Sequence, residues 1–157
     1  MKILPALILF AFPVAIPGCD EKSAPEYSGF EHIPAQGIPL GWEFEFNPLA
    51  EDSVTLLSGT HDVAVAIRYT NRCKARDVII NVEEISLLHD NPDSLTVTIP
   101  LFDKYGEPVG KGNFGIYEVT DTIRRGMRVP EGYTISLSSP LPDSVTSGIN
   151  AIGVIVF

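Results

Sequence analysis

Apolar and polar residues alternate with a period of two along most of the chain after Gly41, and no sustained helical period competes with that pattern. Trp42, Phe44 and Phe46 alternate with Glu43 and Glu45, which predicts a strand with a buried aromatic face and a charged one. Val63, Val65, Ile67 and Tyr69 point one way, while Ala64, Ala66 and Arg68 point the other and suggest a crowded or partly covered surface. Residues 77–87 make a third strand region. Leu95, Val97, Ile99 and Leu101, alternating with Thr96 and Thr98, make a fourth, which Pro100 ends or marks as an edge. Weaker strands are expected over 53–57 and 114–120. Tyr133, Ile135 and Leu137 alternate with Thr134, Ser136 and Ser138, and residues 150–157 read as a buried closing strand.

Turn chemistry separates these runs. Asp90-Asn91-Pro92-Asp93, Tyr105-Gly106-Glu107-Pro108 and Pro130-Glu131-Gly132 hold residues that preset φ or tolerate positive φ. Seven to eight short strands at this spacing predict an all-β fold, a two-sheet antiparallel β-sandwich over residues 41–157, with a β-barrel as the alternative.

The first 18 residues follow a different pattern. One basic residue, Lys2, precedes an apolar run from Ile3 to Pro17 that ends at Gly18-Cys19. A membrane-spanning helix needs about 20 apolar residues, and Pro5, Pro13 and Pro17 interrupt this shorter run, so a signal peptide over 1–18 fits better. Ile16, three residues before Cys19, and Gly18 directly before it resemble a bacterial lipobox. Lipidation at Cys19 is therefore expected, anchoring the chain to a membrane through its acyl chains. Residues 19–40 open with Asp20 and Glu21, carry Pro25, Pro34, Pro39, Gly29 and Gly37, and show no hydrophobic period; they are predicted to be a flexible tether.

Charge narrows the function classes. The chain carries a formal −9, and loss of Lys2 with the signal segment leaves 10 basic residues against 20 acidic, a net −10. Nucleic-acid backbones require clustered cations; here only Arg72, Lys74 and Arg76 lie close together, and a solvated surface accounts for them. With Cys19 acylated, Cys73 has no cysteine partner. Its cationic neighbours favour reactivity, but no His or Asn pattern supplies a base, so an inert, half-buried thiol is expected.

No nucleophile elbow, paired-histidine helix motif or Gly-rich phosphate loop is present, so no catalytic, cofactor or metal residue is assigned and the chain is not expected to be an enzyme. His32, His61 and His89 are far apart and are expected to be solvated. Asp90, Asn91 and Asp93 offer oxygens that calcium favours, yet lack the glycine and distal glutamate of a calcium loop. Glu43 with Glu45, and Glu83 with Glu84, are read as solvated strand faces rather than hydrolytic pairs. Trp42, Tyr105 and Tyr117 are candidate sugar-stacking rings. Trp42 fits the core better, leaving Tyr105, in a turn, as a possible ligand or partner contact.

An ordered set of motifs runs along the chain. The lipobox is followed by Trp42-Glu43-Phe44-Glu45-Phe46 and by Ala64-Val65-Ala66-Ile67-Arg68-Tyr69-Thr70-Asn71. Pro100-Leu101-Phe102-Asp103 with Gly106, Gly110 and Gly112 comes next, and Gly148-Ile149-Asn150-Ala151-Ile152-Gly153-Val154 closes the set. In this order the motifs resemble the gliding-motility lipoprotein GldH family of Bacteroidetes, with Pro108-Val109 where the family has a tryptophan. The resemblance implies a non-enzymatic envelope lipoprotein that contacts other proteins in a gliding-motility-related assembly, expected at the outer membrane. The acidic residues after Cys19 resemble a Bacteroidetes surface-export signal, whereas enterobacterial sorting would read Asp20 as inner-membrane retention; the membrane face stays open. A surface glycan-binding lipoprotein of a nutrient-uptake system is the alternative function.

Overall fold

The computed structural model describes residues 24–49, 58–87 and 89–157; the signal segment, Cys19 and the strand expected over 53–57 lie outside the described residues. Nine strands and one short helix follow in chain order: β1 (Tyr27–His32), β2 (Glu43–Phe46), β3 (His61–Thr70), β4 (Asp77–Ser86), β5 (His89–Pro100), β6 (Lys111–Asn113), β7 (Ile116–Met127), β8 (Thr134–Ser138), α1 (Asp143–Thr146) and β9 (Ile149–Val156). They form one sheet in the order β1-β9-β3-β7-β6 and a second in the order β2-β8-β4-β5. Every neighbouring pair is antiparallel. The fold is therefore a β-sandwich, and neither sheet closes into a barrel.

Alternation explains how the sheets meet. Val63, Val65, Ile67 and Tyr69 of β3 and Ile152, Val154 and Val156 of β9 face Val78, Ile80 and Val82 of β4 and Ile135 and Leu137 of β8. Each is essentially buried, and each such side chain contributes roughly 1.5–3 kcal/mol through loss of apolar surface from water. The outer face of β3 and β9 is covered as well, as the small residues suggest. Ala64 and Ala66 pair with Ile155 and Gly153, and Phe30 lies close to Gly153, where a Cβ would meet the ring at 2.6 Å. The Arg68 guanidinium rests 3.7 Å above the Phe30 ring and holds Glu118 at 2.7 Å.

Three expectations are corrected. The tether expected over 19–40 does not hold for its described part: β1 pairs along the edge of β9, and Ile33 and Ile38 are buried in the core. Thr146 Oγ1 accepts the Ile38 N–H at 2.7 Å, and Gly37 sits at φ 118° so close to α1 that a Cβ would meet the Asp143 carbonyl oxygen at 2.1 Å. Asp90-Asn91-Pro92-Asp93 is not a turn. It belongs to β5, the outermost strand of its sheet, where Pro92 forfeits no essential ladder bond, and the reversal falls between Ser86 and His89. Trp42 is half exposed while Phe44 and Phe46 are buried, because β2 begins only at Glu43 and the tryptophan remains in the preceding loop.

Candidate functional site

Strand register defines two ends of the sandwich. At the entry end, Tyr27 pairs with Val156, Val156 with Val63, and Val63 with Arg124. At the opposite end Thr70 pairs with Ile116 and Asp77 with Pro100. Seven residue steps lead from Val63 to Thr70 along β3, so the ends lie about 24 Å apart.

Large apolar side chains are exposed unequally at these ends. Of nine that are exposed among the described residues, only Ile85 and Leu87 are at the entry end. Leu40, Trp42, Tyr105, Val109, Phe114, Ile116 and Val145 lie on the loops, turns and strand ends that cap the opposite, loop end. Five of the eleven basic residues, Arg72, Lys74, Arg76, Lys104 and Lys111, are there too. Arg76 Nη2 donates to the Asp103 carbonyl, and Lys104 Nζ lies 4.8 Å above the Tyr105 ring. Arg72, Lys74 and Lys111 form no ion pair among the described residues.

Phe114 is the most exposed of these groups, fully open to solvent at the tip of the β6–β7 hairpin. Asn113 pairs with Ile116, leaving a two-residue turn in which Phe114 (φ 52°) and Gly115 (φ 79°) both take positive φ. That geometry matches the twist of a tight hairpin and normally selects Asn-Gly. The Asn71 N–H donates to the Gly115 carbonyl at 3.3 Å, docking the hairpin onto the β3–β4 loop.

The entry end holds a different arrangement, a cleft of about 270 Å³ lined by Glu84, Asp93, Arg124 and Tyr133 with Ile85, Met127 and Pro130 as apolar walls. Glu84 follows Val78, Ile80 and Val82 in phase along β4, so its carboxylate points inward and is almost wholly buried, against the solvated position expected for it. Tyr133 donates to Glu84 Oε1. Arg124 Nη2 approaches Glu84 Oε2 at 2.5 Å and also donates to Asp93 Oδ2. One NH₂ group thus serves two carboxylates: its hydrogen-bond geometry favours Asp93, and Glu84 Oε2 gains charge pairing without a well-aligned hydrogen bond. Burial, reinforced by the bond and charge of Glu84, pushes the Tyr133 phenol far above its ordinary value. Partial burial pulls Arg124 down, but its bond to Glu84 and the charges of Glu84 and Asp93 outweigh this and raise it. Because Arg124 comes from one sheet and the two carboxylates from the other, the cluster is an inter-sheet clasp. Glycoside hydrolysis would need two carboxyls facing each other across the cleft, whereas here both carboxylates converge on Arg124.

No protein-family model, curated protein or solved structure matches the chain. The residues themselves must therefore carry the functional reading.

The other sequence candidates do not converge. Tyr105 is exposed in its turn, Trp42 meets Phe44 edge-on at 6.1 Å, and Tyr117 packs on Tyr69 at 5.9 Å, so these three aromatics form no shared stacking platform. Cys73 is half buried, and desolvation raises its thiol pKa. His61 is buried rather than solvated, with Nδ1 3.7 Å from Glu26 Oε2. His32 is exposed; the side chains of His89, Asp90 and Asn91 lie outside those described. Sequence reasoning missed Phe114, because Asn-Phe-Gly lacks the usual hairpin signature. It also missed Arg124, whose partners are brought together only by sheet packing.

Proposed function

We propose that the chain is a lipoprotein of the cell envelope, lipidated at Cys19, that works by protein–protein contact in a gliding-motility-related assembly and performs no catalysis. The observation carrying this reading is the concentration of exposed apolar residues at the loop end, about 24 Å from where the chain enters the sandwich. An anchor on the entry side leaves the loop end directed away from the point of attachment. Exposed apolar side chains left outside the core and accompanied by charge mark candidate partner-binding surfaces. The resemblance in the ordered motifs supplies the motility context.

The test compares affinity purification of the full chain from detergent-solubilised envelopes with a Leu40→Ser/Trp42→Ser variant at the loop end and Leu87→Ser at the entry end. Motility or secretion components should be recovered with the native chain and with Leu87→Ser, and lost with the loop-end variant. Deletion that leaves surface movement and adhesin display unchanged overturns the reading. A glycan-binding alternative draws on the exposure of Tyr105, although Lys104 lies over one face of that ring. Glycan-array binding abolished by Tyr105→Ala would favour it.

A further inference from the structure

Phe114 occupies a position that folding alone would not select. A residue with a Cβ in the left-handed region is strained by about 1–2 kcal/mol, and the side chain recovers nothing by burial because it is fully exposed. Backbone strain that the surrounding structure maintains is found where function requires it. The hairpin that bears it is closely paired. At Gly112 a Cβ would meet the Ile116 carbonyl oxygen at 2.0 Å, and at Gly110 the Glu118 carbonyl oxygen at 2.5 Å, so β6 lies closer to β7 than side-chain-bearing residues would permit.

Basic residues outnumber acidic ones around the tip, where Arg68, Arg72 and Lys111 accompany the single carboxylate of Glu118, the cross-strand partner of Lys111. Arg72 borders the same shallow depression as Phe114 and Ile116, and Lys111 starts the hairpin. Neither forms an ion pair among the described residues, while the nearby carboxylate of Glu118 is already held by Arg68. In a chain of net −9, this is a local reversal of sign around an exposed aromatic ring.

We propose that the β6–β7 hairpin tip is a docking probe: Phe114, with Ile116 beside it and Arg72 and Lys111 on its flanks, enters an apolar socket with an acidic rim on a partner protein. Rigid aromatic anchors seated in a desolvated pocket dominate binding energy, and flanking charges select the partner and its register. A protein socket fits better than a bilayer, because an anchor on the entry side directs this hairpin, at the loop end, away from the membrane. The inference rests on the protein-contact reading above and names the residue that enters the partner.

The test places p-benzoyl-phenylalanine at position 114 of the full chain in the cells that produce it, with parallel probes at positions 42 and 87. Illumination should give a protein adduct from position 114. Its partner peptide should carry Asp or Glu beside apolar residues, and an Arg72→Glu/Lys111→Glu variant should lower the yield about tenfold. A lipid adduct at position 114, or a yield indifferent to charge reversal, overturns the proposal. An adduct from position 42 but none from 114 overturns it while leaving the protein-contact reading standing, and none from either overturns both. Phe114→Asn separates docking from folding: asparagine tolerates positive φ, so the melting temperature should hold or rise while capture of the cross-linked partner falls about tenfold. A melting temperature lowered by several degrees would make Phe114 a structural residue and overturn the proposal.

Discussion

Tyr133 donates a hydrogen bond to Glu84 inside the entry end, joining the turn that leads into β8 to a carboxylate on the neighbouring strand β4. Both residues are in phase with core positions of their strands, so the contact follows from the alternation that builds the sandwich. Burial of this pair makes the fold sensitive to the protonation of the phenol.

Stability should fall at alkaline pH. The unperturbed tyrosine value is 10.0; burial raises Tyr133 well above it and raises Tyr69 in the same direction. Below about pH 10 both phenols are neutral in the folded and unfolded chains, and the stabilisation is fully present. Above that, the unfolded chain ionises first and gains stability, so folding weakens as pH rises toward the folded values. Urea midpoints measured from about pH 8 to 11 should decline above 10, with a shallower decline in Tyr133→Phe. A midpoint indifferent to pH across that interval would contradict the buried phenols.

Residues 33–40 should behave as part of the folded body. Thr146→Val removes the buried acceptor of the Ile38 N–H and should lower stability by about 1–3 kcal/mol, read from denaturant unfolding. Unchanged stability would restore the tether reading of this segment.

The alternation of Val63, Val65, Ile67 and Tyr69 was legible because a half-buried strand writes its two faces into the sequence directly. The same rule reaches Glu84, two residues beyond Val82, although a glutamate in an apolar phase is easily taken for the solvated partner of Glu83. β1 was illegible because it is an edge strand of mixed exposure, with Gly29 and Glu31 breaking any period. Phe114 and Arg124 depend on hairpin register and sheet packing, which are non-local.

Cys73 should react slowly despite Arg72 and Lys74 on either side. Both cations are exposed, and desolvation of the half-buried sulfur outweighs any help from charge, raising the thiol above its ordinary 9.0. Near pH 8, alkylation by iodoacetamide should be about tenfold slower than for a free thiol and should accelerate in denaturant. Folded-state labelling as fast as that of glutathione would show the sulfur to be exposed.

Arg124 is expected to matter far more than Asp93, although it touches both carboxylates. Its side chain is 33% exposed, Glu84 is 6% exposed and Asp93 is 72% exposed, so only the ion pair with Glu84 holds a charge that water cannot reach. Breaking a fully buried ion pair costs about 3–5 kcal/mol because one charge is stranded, and the partial exposure of Arg124 reduces that to about 2 kcal/mol for Arg124→Ala. Asp93→Asn breaks an exposed contact and should cost less than about 1 kcal/mol. Adding Glu84→Gln to Arg124→Ala removes the stranded charge while keeping an acceptor for the Tyr133 hydroxyl, and should recover most of the loss. Thermal unfolding of the three variants provides the check. If Asp93→Asn proves the more damaging single change, or the double variant gives no recovery, the two sheets are not clasped through Glu84.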